Sequence, residues 1–149
     1  MKRFHDNVQD DEYLLLNRAR ALELEALEQI HDMYYVPIFR YISLRVNEHE
    51  TAEDLTSEVF TRLLSALQDK TAPQKTIRGW LYSVASRVVK DFYRKKYRRK
   101  QVTLIIALRF GYEMSIRDVA ETTGKSEGAV KMLQARAIAA LSRTMQSGE

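Results

Sequence analysis

The residues best suited to chemistry lie between Arg87 and Lys100, where eight basic groups and one acid crowd into fourteen positions. Phe92, Tyr93 and Tyr97 are interleaved with them, and Trp80 and Tyr82 lie just upstream. Cations attract a phosphate backbone and aromatic rings stack on bases, so the mixture suits nucleic acid. Arg87, Lys90 and Arg94 fall at helical spacing and would share one cationic face. Taken alone, such a stripe reads equally as a solvated helix face. Glu53, Asp54 and Glu58 form an opposite pole. Asp54 and Glu58 are i and i+4, so a helix would present both carboxylates to a basic partner; the plainer reading is a solvated acidic face that favours its own helix N-terminus. There are no cysteines, and His5, His31 and His49 are scattered, so neither thiolate chemistry nor a metal or other cofactor is expected. A nuclease would need convergent carboxylates or histidines, and the acids stand in separate segments. No enzyme is expected.

Helices must position these groups. The 149 residues are 45% hydrophobic and 30% charged, enough to bury a core, with only two prolines and five glycines. The net charge of +4 is unevenly spread: 10 basic and 14 acidic groups over residues 1–86, then the basic stripe, then near balance over 101–149. Apolar residues recur at helical period from Asp11 to Val46, and Pro37 should kink or split that run. A second helix is expected over Thr51–Gln68, a loop over Asp69–Thr76, and a third helix from Ile77 through Trp80, Leu81, Val84, Val88 and Phe92 into the stripe. Trp80 fits the core period better than a base platform. No apolar run reaches membrane-spanning length and the start is no signal peptide, which predicts a cytoplasmic protein without membrane insertion. The apolar side of the stripe and Asp91 within it argue against a membrane-surface role.

Gln101–Phe110 reads as an apolar helix ended by Gly111. Two capped helices should follow, with Ser115 and Ser126 as N-caps and Asp118 at the third helical position of the first. Ala120, Gly124 and Val130 match positions five, nine and fifteen of a helix-turn-helix: a small residue where the helices cross, a glycine free to take positive φ in the turn, and an apolar residue packing back into the crossing. A plain helical hairpin and a DNA reader both remain open on this pattern. Ile138 and Leu141 are expected in the core.

Ala52–Leu64 (AEDLTSEVFTRLL) together with Ile77–Lys95 (IRGWLYSVASRVVKDFYRK) resembles the helical domain two of bacterial sigma factors. Ile116–Leu141 (IRDVAETTGKSEGAVKMLQARAIAAL) resembles their promoter-reading domain four. Two such domains and little else resemble the extracytoplasmic-function group. The resemblance implies an all-α chain with an N-terminal extension at 1–25, domain two at 26–100 and domain four at 101–149. It implies docking on the clamp helices of the largest subunit of core RNA polymerase through Glu53, Asp54, Leu55, Glu58 and Phe60. The −10 promoter element would be met by Lys75, Arg78, Trp80, Arg87, Lys90, Arg94 and Lys95, with an extruded base held beside the loop Lys70–Thr76. The −35 element would be met by Lys125, Ser126, Glu127, Lys131, Gln134 and Arg136, the last as a phosphate or intramolecular partner. An anti-sigma factor is a further implied partner, and no small-molecule substrate is implied.

Three features depart from the family pattern. Arg87 stands where members often carry Asn, which leaves the base preference at −10 open. Met1–Arg20 lies outside the clear resemblance; it could extend the first helix, contact a regulator or simply be solvated, and the last is the default. Members also carry a flexible linker and the first helices of domain four ahead of the segment resembling Gln101–Phe110. The two promoter elements lie on the order of 50 Å apart, about one and a half helical turns. At about 3.5 Å per extended residue, roughly 15 residues are needed to join them. Residues are therefore expected to be missing between Lys100 and Gln101. A stand-alone helix-turn-helix repressor or activator would account for 101–149 but would leave the acidic helix and the Trp80 segment without a role.

Overall fold

A computed structural model describes residues 2–71, 73–74 and 76–148, and no strand occurs among them. The chain is all-α: α1 (Lys2–Arg20), α2 (Leu24–Ser43), α3 (His49–Gln68), α4 (Ile77–Ile106), a π-helical turn (Ala107–Gly111), α5 (Ile116–Thr123) and α6 (Glu127–Ser147). It separates into two compact units, one up to Phe92 and one from Tyr93 onward, so the division falls within α4. No helix among the described residues is long and apolar enough to cross a membrane.

In the first unit, apolar positions at helical period bring Ile30, Ile38 and Ile42 of α2, Val59 and Leu67 of α3, and Ile77, Leu81 and Val88 of α4 into one core. Each such side chain removed from water contributes on the order of 2 kcal/mol, and together they orient the helices. Thr56, also fully buried, donates its hydroxyl to the carbonyl of Ala52 at 2.7 Å. Leu15, Leu16 and Ala19 of α1 belong to the same core. This corrects the expectation of a solvated N-terminal stretch: the apolar side of α1 seals the bundle.

The helix break also lies elsewhere than expected. Pro37 stays inside α2. It and Met33, whose carbonyl loses its partner, are both exposed, so water can serve that carbonyl. The chain turns instead at Ala21–Glu23, where Leu22 takes φ 58°. The Arg18 guanidinium donates to the Glu23 carboxylate at 2.8 Å across that turn. At the other boundary α4 runs through Lys100 and Gln101 without a break.

The second unit has a small core of Ile105, Val119, Ala120 and Val130, flanked by Leu108, Met114, Ile116 and Leu133. Ile138 and Leu141 are not part of it. They are 50% and 58% exposed, because among the described residues of this unit nothing covers that side of α6. Beside them an apolar groove of about 310 Å³ runs between Val102, Thr103 and Ile106 on α4 and Ala137, Ala140, Leu141 and Thr144 on α6.

Candidate nucleic-acid and protein interfaces

On α3 the carboxylates of Glu53, Asp54 and Glu58 are exposed. Two of them are already engaged within the helix: His49 Nε2 lies 2.7 Å from Glu53, and Arg62 lies 2.6 Å from Glu58, both at i,i+4. Leu55 is buried in the core, so it supports the helix from behind and is withdrawn from the docking set. Phe60 is half-buried. It belongs to an aromatic run in which His31 and Tyr35 lie 5.0 and 6.1 Å from its ring, Tyr35 stacks on Phe39, and Phe39 meets the His49 ring at 5.3 Å. The acidic helix is thus bordered by a ledge of rings that reading the acids alone had missed. Its signal in the sequence was the i,i+4 repeat of His31, Tyr35 and Phe39.

On α4, Arg87 and Lys90 are exposed, consistent with one cationic face, and Arg94 and Lys95 are exposed on the stretch that belongs to the second unit. Arg78 is exposed near the start of the helix, its guanidinium 5.8 Å from the Tyr82 ring. Trp80 packs against the core. Lys75 lies outside the described residues.

Two side chains of α1 reach the start of α4. Glu12 Oε1 accepts the backbone N–H of Ile77 at 3.0 Å, and Arg20 Nη2 donates to the carbonyl of Pro73 at 2.6 Å. Thr76 caps the same helix locally, accepting the N–H of Gly79 at 3.1 Å. A Cβ at Gly79 would stand 2.7 Å from that hydroxyl oxygen, so the cap depends on glycine there. The phenol of Tyr34 is pushed above the ordinary tyrosine range, first by burial and then by the Glu12 carboxylate, against an opposing pull from Arg78.

In the second unit the helix-turn-helix forms as its caps demand. Ser115 accepts the N–H of Asp118 and Ser126 that of Ala129, each at 3.1 Å. Gly124 takes φ 70° between them, and the Lys125 N–H closes on the Ala120 carbonyl at 3.1 Å. Glu127, Lys131 and Arg136 are exposed along α6, and Lys125 is half-buried at its approach. Ser126 spends its hydroxyl on the cap. Gln134 is also occupied: its side-chain oxygen accepts from Arg109 Nε at 3.0 Å, and Arg109 donates onward to the carbonyl of Met114. This brace ties α6 to the segment before α5 and engages the Gln134 side-chain oxygen, one of the two atoms a bidentate contact with adenine would use.

Two family models match the chain, sigma-70 region 2 over residues 30–99 and sigma-70 region 4 over residues 101–143. The ECF RNA polymerase sigma factor BldN of Streptomyces coelicolor is 29% identical over 170 aligned positions, which take in 88% of this chain and 64% of BldN. The RNA polymerase sigma factor SigZ of Bacillus subtilis is 34% identical over 70 positions, 47% of this chain and 39% of SigZ. Among solved structures, the RsbN–BldN complex is similar at 36% identity, covering 87% of this chain and 98% of that one with a TM-score of 0.48. The chain belongs to the sigma-70 family. It spans less than two thirds of the length of the curated relatives it matches.

Proposed function

We propose that this chain is a dissociable promoter-specificity subunit that binds core RNA polymerase and directs promoter recognition, strand opening and transcription initiation. The observation that carries this reading is the presence in one chain of a region 2 match bearing an exposed acidic helix and a region 4 match bearing a capped helix-turn-helix. On this reading Glu53, Asp54, Glu58 and Phe60 meet the clamp helices of the largest subunit. Arg78, Arg87 and Lys90, with Arg94 and Lys95 further along α4, hold the backbone at the −10 element, and an extruded base lies beside the segment that precedes α4. Lys125, Glu127, Lys131 and Arg136 serve the −35 element. The chain supplies binding energy and the polymerase does the chemistry, in the cytoplasm. An anti-sigma factor joins the partners on family grounds.

Co-elution with core RNA polymerase on size exclusion tests this. The expected result is a stoichiometric complex that Asp54→Arg weakens at least about tenfold, since a repulsive charge replaces an attractive one at a desolvated contact. A folded wild-type chain that fails to bind core but binds a palindromic duplex would overturn it in favour of a stand-alone DNA-binding regulator.

A further inference from the structure

Arg109 and Gln134 have no part in the proposed promoter contacts, yet the bond between them decides which end of an amide is left to a partner. Gln134 follows Lys131 by three positions and Glu127 by seven, so the three share one side of α6. Glu127 and Lys131 are exposed there, and Gln134 is half-buried against Arg109. A guanidinium has N–H donors and no acceptor, so the Gln134 atom 3.0 Å from Arg109 Nε can only be the oxygen. Arg109 is itself fixed. Its Nη1 donates to the carbonyl of Met114, and the Met114 N–H returns to the carbonyl of Leu108 at 3.1 Å. Both bonds from the guanidinium are charge-assisted, the stronger kind.

An unbraced glutamine offers oxygen and nitrogen together to adenine, accepting from N6 and donating to N7. Here the oxygen is held, and the nitrogen, with its pair of N–H donors, is the end left to meet a base edge. Paired donors match guanine, whose N7 and O6 are both acceptors, whereas thymine offers O4 alone. Adenine and cytosine each set an N–H donor group of their own against them.

From this geometry we infer that Gln134 is a specificity-determining residue that reads a guanine in the −35 element, and that Arg109 is the positioning residue that makes it a donor. The inference rests on the proposed function and deepens it.

The test uses the full chain and the duplexes it selects from a random-sequence DNA pool. The position read by Gln134 is the one whose selected base changes in Gln134→Ala. Guanine is expected there, and adenine in its place should weaken wild-type binding roughly fivefold or more, the range for one good base contact. Gln134→Glu keeps an acceptor for Arg109 but has no donor, so its selected base should become cytosine, whose N4 amino group a carboxylate accepts. Because this variant retains the brace, it guards against a loss of fold. Arg109→Ala frees the amide to turn and should reduce the preference for guanine over adenine to about twofold or less. A merely structural Arg109 would instead lower thermal stability and binding to every duplex alike, with the preference unchanged. Any base but guanine at the wild-type position, guanine retained by Gln134→Glu, or a preference that survives in folded Arg109→Ala overturns the inference. So does a set of selected duplexes that Gln134→Ala leaves unaltered. A wild-type chain that selects no duplex sequence at all overturns the −35 reading itself.

Discussion

Gly124 shows how much one residue's backbone can decide. At φ 70° any side chain with a Cβ is strained, although nothing stands within 4 Å of where that Cβ would lie. Gly124→Ala should therefore cost about 1–2 kcal/mol through backbone strain alone. Urea unfolding followed on the second unit would show it, and a loss close to zero would mean that the turn relaxes. This position was readable from the sequence because caps and turns are local: Ser115, Gly124 and Ser126 announce themselves within a few residues of what they bond. Gln134 and Arg109 were not readable, since their bond joins residues 25 apart that carry no local signal for each other. Leu55 failed for a related reason. A residue within an acidic stretch looks like part of a surface until the helix is wound and its side is known to face inward.

At the scale of the element, α6 separates two kinds of apolar residue that periodicity alone treats alike. Val130 is fully buried, while Leu141 is 58% exposed on the same helix. Val130→Ala should cost about 2 kcal/mol, the lost transfer of two methyl groups plus the cavity they leave. Leu141→Gln should change stability by no more than about 0.5 kcal/mol, as surface substitutions do. Paired thermal melts check this, and equal losses would place Leu141 back in a core. The expectation for Leu141 went astray because periodicity reports which side of a helix is apolar, not whether anything lies against it. The existence of α2, α3 and α4 was legible from the same periodicity. The turn at Ala21–Glu23 was not, because it contains neither glycine nor proline and is held by the Arg18–Glu23 pair.

At the scale of the whole molecule, the two family matches abut at residues 99 and 101. The chain supplies about 131 of the 170 positions aligned with BldN (88% of 149), so about 39 positions of that alignment face no residue of this chain. Both observations support the proposal that a connector is missing after Lys100. Inserting about 15 flexible residues between Lys100 and Gln101 should let a polymerase complex protect both promoter elements in a footprint, where the present chain protects one. Simultaneous protection by the present chain would mean that no connector is needed.

The reach of α1 also sets an order of events during synthesis. Glu12 is made 65 residues before the amide it holds, and Arg20 is made 53 before its carbonyl. At about 5–20 residues per second, Glu12 waits roughly 3–13 s for Ile77 to be polymerised. Helices α2 and α3 are neighbours in sequence and can pair within that interval, but neither grip can close. The first unit therefore has a nascent form in which α2 and α3 are paired while α4, which supplies the rest of the core, is still to be made, and the last part of it to take shape is fastened by the first part to be made.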